Sequence, residues 1–456
     1  VRIQGCRPVT GACMIAKSFL SGSDQQEHVG QWRRNASLDG RRGRSGAILK
    51  GVQTWTWSPF RIAAAACTLV AAASCAGTNT SDVAADDGGA PAEAVEGVVA
   101  GETSTTESTT TTTTAPPRPP ANTLTMEKLK RITGDISPKS VVASGNGQVT
   151  AQNMMYRHTV TAYDSDGNLI ATIPDNVTLS DWGFDHEGEF QGAPVEAAFV
   201  PDGSAVYVSN YSMYGPGFSE GSDKCGPSDG TAPSFLYRIS TEDWQVDQVV
   251  AAGAVPKYVA VTPDGSKVMA TNWCTYDMTI ADTDTGEVLA TVDIGRYPRG
   301  IVVSPDSKTA YVAIMGGSEI AVVDLESAAV TSSIGVGQGP RHLVISPDGQ
   351  YLYTTLNAEG RVAKIDLGTG EVLSRVSTGS QPRSMDISGD GTALYVVNYE
   401  SDNVSKLATE DMSVLQTVPA GHHPIGISYD RSTGRVWVAN YSGSIDVWDE
   451  VAQAPG

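Results

Sequence analysis

Four basic residues stand at a constant interval in the C-terminal half of the chain: Lys257, Arg299, Arg341 and Arg383. Each follows a proline, and Pro256, Pro298, Pro340, Pro382 and Pro424 are 42 residues apart. Lys and Arg brought together by a repeat could focus a carboxylate, a phosphate or an acidic sugar. Aromatics recur as well: Tyr211, Trp273, Tyr399 and Tyr441 each follow an Asn, and Trp182 and Tyr214 lie nearby in sequence to the first of them. Such rings suit stacking on a sugar, a peptide or an exposed base. Acid/base groups are concentrated in Asp185-His186-Glu187-Gly188-Glu189, one loop without a spaced partner. There is no nucleophile elbow, phosphate loop, zinc spacing or haem-attachment Cys pair, so neither a cofactor nor a metal site is expected.

The elements that position these residues are themselves repeated. Seven residues after each proline comes a turn: Pro263-Asp264-Gly265, Pro305-Asp306-Ser307, Pro347-Asp348-Gly349 and Gly389-Asp390-Gly391. A β-rich run follows and ends in Asn, as in Met269–Asn272, Tyr395–Asn398 and Trp437–Asn440, and then come an alternating strand, a polar turn and a fourth strand. Two earlier units fit with insertions. One has Pro194, Pro201-Asp202-Gly203 and Tyr207–Asn210, and the other has Pro138, Gly145-Asn146-Gly147 and a run ending at Asn153. Seven units of four short strands predict an all-β fold, a seven-bladed β-propeller. The last unit supplies only three strands before the chain ends. Residues 127–134 are predicted to complete that blade and close the ring, so that no edge strand is left open.

With their Ser-Pro-Asp-Gly turns, Tyr207-Val-Ser-Asn210 and Tyr395-Val-Val-Asn398 resemble the YVTN-repeat family of seven-bladed propellers, the YncE-like and lactonase-like group. The resemblance spans roughly residues 126–450 and implies the fold. It leaves activity open, since such propellers include surface proteins, lactonases, lyases and heads of redox enzymes.

In a propeller the chain enters each innermost strand from one face, and the hairpin between strands two and three returns to that face. The Pro-Asp-Gly turns lie opposite. The insertions 176–191 and 211–233 are therefore expected on the entry face, where loops carry function. Cys225 in the second insertion and Cys274 in the equivalent hairpin of the next blade are the only cysteines of the head, and they are expected to form a disulfide. The innermost strands, read round the ring, begin with Lys139, Glu196, Lys257, Arg299, Arg341, Arg383 and Ile425, with His422-His423 just before the last. Five cations at one channel mouth suit an anion, and Glu196 suggests a mixed-charge site beside the insertions.

The 456-residue chain has 31 Lys+Arg against 51 Asp+Glu, a net charge of −20. Residues 1–61 hold ten Lys+Arg and three Asp+Glu, net +7, leaving 21 against 48, net −27, for the remainder. So acidic a head argues against duplex nucleic acid as a partner. Residues 1–50 read as a non-native upstream extension or leader and 51–75 as a signal peptide with a lipobox-like end, which makes Cys75 the expected lipidation site. Residues 76–122 are a Thr/Pro-rich linker expected to be disordered, 123–450 the propeller and 451–456 a tail. The expected product is an exported, membrane-anchored monomer. Its insertion-bearing face would bind a protein, an envelope glycan or a small anionic ligand. Two alternatives stand beside this reading. One is a lactonase-like hydrolase or lyase using His186, Glu196 and the channel arginines. The other, implied by the YncE-like resemblance, is single-stranded nucleic-acid binding.

Overall fold

The computed structural model of the protein describes residues 118–452. The expected leader, signal segment, lipidation site Cys75 and stalk residues up to 117 lie outside the described residues. The described chain forms seven antiparallel four-stranded sheets and one two-stranded hairpin. The first strands of consecutive blades touch one another all the way round, and those of blades 7 and 1 complete the circle. Blade 7 takes Pro424–Asp430, Arg435–Asn440 and Ser444–Ala452 from the C-terminus and Leu124–Ile132 from the N-terminus. The latter pairs antiparallel with Ser444–Ala452, as expected from the missing fourth strand.

Alternation within the strands explains why blades stack. Each sheet buries apolar residues on both faces, and seven apolar clusters result, one at each blade interface. A further lock crosses the closure. Lys406 and Glu450 form a fully buried ion pair; Lys406 Nζ also donates to the Leu124 carbonyl at 2.8 Å, and Tyr395 Oη donates to Glu450 Oε1 at 2.5 Å.

The repeat signals have local causes. Asp264 Oδ1 accepts from Thr262 Oγ1 and the Ser266 N–H at 2.6 and 3.0 Å, folding the turn. Gly265 adopts φ +77°, and Ser307 takes the same left-handed conformation in the unit that lacks glycine. The strand-two asparagines hold their hairpins: Asn272 Nδ2 donates to Asp277 Oδ1 and Thr279 Oγ1, and Asn398 Nδ2 to Asn403 Oδ1 and Ser405 Oγ. The packed head also starts earlier than position 123. Ala121 is buried against blades 6 and 7, and its N–H donates to Asp390 Oδ2 at 2.8 Å. At the other end the last strand runs to Ala452.

Both insertions fall where expected in the chain. Residues 176–191 carry the hairpin Asn176–Thr178 with Glu189–Gln191, and Gln191 bridges to Tyr214 of the second insertion. Together they enclose an apolar cap of Val177, Leu179, Phe190, Met213 and Phe235.

Candidate functional site

In six blades the innermost strand opens with its proline and carries a bulge at the next one or two positions; in blade 1 it opens at Ser140, two residues after Pro138. The residue after the proline is set at the channel mouth. Lys257, Arg341 and Arg383 are buried there, and Lys139 and Arg299 are partly so. The five cations act on one another. Burial lowers Lys139 well below the ordinary lysine range, and Arg299, Arg383, Arg341 and Lys257 lower it further. Lys257 is brought down to about 7 by burial and then by Arg299, against the pull of Asp223.

One correction concerns the ring itself. Val195, not Glu196, follows Pro194 and takes the ring position in blade 2; Glu196 comes one residue later and faces the channel below the mouth.

The aromatics flank these cations. Lys257 Nζ lies 3.9 Å from the centre of the Trp273 ring and 5.3 Å from that of Tyr211. Arg383 is 3.5 Å over Tyr399, Lys139 5.0 Å over Tyr441 and Arg299 5.8 Å from Trp273. The two sets therefore form a single belt of cation–π contacts around the mouth. Trp182 is separate from that belt. It packs on the insertion cap.

Loop 211–233 reaches into the belt. Asp223 Oδ1 accepts from Lys257 Nζ at 2.5 Å, and Trp273 Nε1 donates to the Asp223 carbonyl at 3.3 Å. Burial raises the Asp223 carboxyl, but Lys257, Lys139 and Arg299 outweigh it and hold the group at about 2. Two residues on, Cys225 is disulfide-bonded to Cys274, with Cα atoms 5.1 Å apart, and the bridge packs with Val255 and Trp273.

Below the mouth lies a second layer that the repeat reading missed. The next residue of each strand contributes Ser140, Glu196, Tyr258, His342 and Ser384, with glycines at 300 and 426. Tyr258 Oη is 3.4 Å from His342 Nε2, and Ser384 Oγ is 3.5 Å from His342 Nδ1. Burial lifts Glu196 to about 7, opposed by a hydrogen bond with Ser140 and by Arg299 and Arg341. Burial, then Arg341 and Arg299, lowers His342 to about 3, so its imidazole is neutral. A cavity of about 250 Å³ continues down the channel past Asp386 and Ser428. The signal for this layer was available, because it is the second residue after every entry proline.

The remaining sequence candidates sit elsewhere. His186 packs against Phe218 and Phe190, at 4.6 and 5.8 Å between ring centres, and is absent from the channel lining. His423 stacks on Tyr399 at 4.1 Å, on the rim of the belt.

The family model described as "YNCE-like beta-propeller" matches residues 235–446. This head is a seven-bladed β-propeller of YNCE-like type. The match begins at the third strand of blade 2 and runs into the last strand of blade 7; the two insertions precede it. The search of curated proteins returned no match to this chain. Among solved structures, the YNCE-like head is similar to a chain of Kuenenia stuttgartiensis hydrazine synthase at 18% identity, with a TM-score of 0.57. That alignment covers 71% of this chain and 98% of the other, and it bears on fold alone. Among the described residues no helix is long and apolar enough to cross a membrane.

Proposed function

We propose that the head is an extracytoplasmic binding module whose channel mouth takes a small anionic ligand, a carboxylate, phosphate or acidic sugar. The observation that supports this reading most is the convergence of Lys139, Lys257, Arg299, Arg341 and Arg383 on one mouth. Five cations within a low-dielectric rim repel one another, and an anion entering there relieves that repulsion. Among the described residues, Asp223 already brings a carboxylate to this mouth. The cation–π belt fixes the side chains in advance, which lowers the entropic cost of binding. In this reading the module is exported and tethered by lipid at Cys75.

The test is calorimetric titration of the full chain with phosphate, citrate and a uronic acid at low salt, repeated with Arg341→Met. At least one of the anions binds, salt weakens it, and Arg341→Met reduces the affinity tenfold or more. Absence of binding by all three, or equal binding by the variant, overturns the reading. A short oligothymidylate in the same titration covers the single-stranded nucleic-acid alternative.

A second reading draws on the layer below. Glu196 with its pKa of about 7 and the neutral His342 line the same cavity, an arrangement suited to proton transfer in a hydrolase or lyase. Its acid/base group is Glu196, with no part for His186. Turnover of a lactone or uronate panel that disappears in Glu196→Gln is the result this reading requires.

A further inference from the structure

The His/Asp cluster at the blade 6–blade 7 junction stands outside the channel cavity and meets the cation belt where His423 stacks on Tyr399. Asp402 ends the strand-two-to-three hairpin of blade 6, and His422-His423 form the connection that enters blade 7 at Pro424. His422 Nδ1 lies 2.9 Å from Asp402 Oδ2, and one ligand atom from each of Asp402, His422 and His423 lies within 4.8 Å of the others. Glu400 Oε2 is 3.9 Å from His423 Nε2 and offers a fourth donor. We propose that Asp402, His422 and His423, with Glu400, bind one divalent transition-metal ion of the zinc and cobalt class.

The chemistry of the donor set favours that class. Two imidazoles and carboxylate oxygens suit zinc-like ions, which take four such ligands at about 2.0–2.2 Å and hence roughly 3.3–3.5 Å apart. The spacings of 2.9 and 3.9 Å bracket that value; because an imidazole ligates in its own ring plane, the exposed His422 ring turns out of its stack on His423 to bring both nitrogens onto one ion. The supports are already in place. The other carboxylate oxygen of Asp402 accepts the His423 backbone N–H at 2.8 Å, and the His423 ring stacks on Tyr399 at 4.1 Å. Such outer contacts orient ligands before the ion arrives. His422 is 63% exposed, which leaves the ion an entry path. Blade 7 is also where the mouth carries Ile425 in place of a cation. The proposal does not depend on the anion reading.

The test uses the full chain with free thiols alkylated, titrated with Co²⁺ by visible absorption and with Zn²⁺ by calorimetry. One ion binds, with the d–d bands of a low-coordinate cobalt site, and Zn²⁺ displaces it. Asp402→Asn and His422→Ala each weaken binding tenfold or more. His422→Ala, at an exposed position, keeps the wild-type circular dichroism and melting temperature, so a loss of binding there reports ligation. No saturable site in the wild-type chain, or an unchanged isotherm in both variants, overturns the proposal.

Discussion

The carboxylate of Asp223 sits 2.5 Å from Lys257 Nζ, so an insertion loop delivers a negative charge into the cation ring of the channel. The lysine is almost fully buried while the aspartate remains 60% exposed. The pair thus joins a floor of fixed charge to a loop that solvent reaches. A ligand anion and Asp223 compete for the same charge.

Asp223→Ala separates these effects. Lys257 then loses its carboxylate, and the head is destabilised by roughly 1–3 kcal/mol, below the full cost of a broken buried pair because Asp223 is solvated. Since losing Asp223 also lowers Lys257 further, the comparison is made well below pH 7, where the lysine stays protonated: anion affinity at the mouth rises threefold or more by calorimetry, and a fall there would contradict competition. Because the folded carboxyl sits at about 2, its contribution is fully present above the ordinary aspartate value and fades as pH falls toward 2.

The Cys225–Cys274 bridge closes a stretch with a sequence separation of 49. Replacing both cysteines by serine lowers stability by roughly 2–4 kcal/mol. Limited proteolysis then cuts first within 211–233, at rates well above wild type. A loop that stays protected would show that the insertion cap alone holds it.

Glu196 gives a pH signature. Its folded pKa of about 7 lies above the ordinary 4.5, so the folded state holds a proton that the unfolded chain has released between those values. Stability is therefore greatest below about 4.5 and is lost as pH rises through 7, by roughly 1–3 kcal/mol. Glu196→Gln removes that slope. Denaturant melts at pH 4.5 and 7.5 on both proteins provide the comparison.

Lys406→Met leaves the buried Glu450 with Tyr395 as its hydrogen-bond donor and, among the described residues, only the part-exposed Arg118, at 3.9 Å, as a cation. The single substitution costs about 3–5 kcal/mol, and adding Glu450→Gln restores part of it. A double-mutant cycle by urea denaturation measures the coupling.

Metabolic lipid labelling compares the wild-type chain with Cys75→Ala. Label is expected in the first and absent from the second; equal label in both would refute anchoring at that residue.

The blade count and the closing strand were legible because each depends on local signals repeated at 42 residues. The insertions stood out as breaks in that repeat, and Cys225 and Cys274 as the two cysteines of the head, on neighbouring blades. Turn carboxylates, entry prolines and hairpin asparagines act within a few residues of themselves. The ring was legible only to within one residue. Counting from Pro194 gives Val195 at the mouth and Glu196 one position on, and a shift of one position separates the mouth from the layer beneath. His186 looked chemical by composition, yet its ring packs with Phe190 and Phe218.

What the linear chain determined by itself was the architecture, since periodic patterning and turn chemistry admit one closed solution. Tertiary structure alone decided which groups meet. Asp223 reaches Lys257 across 34 positions, and Asp402 meets His422 across 20. These encounters depend on how a ring of blades brings distant strands to one axis and folds loops over its mouth. No spacing along the chain encodes them, because the distances that matter there run across blades.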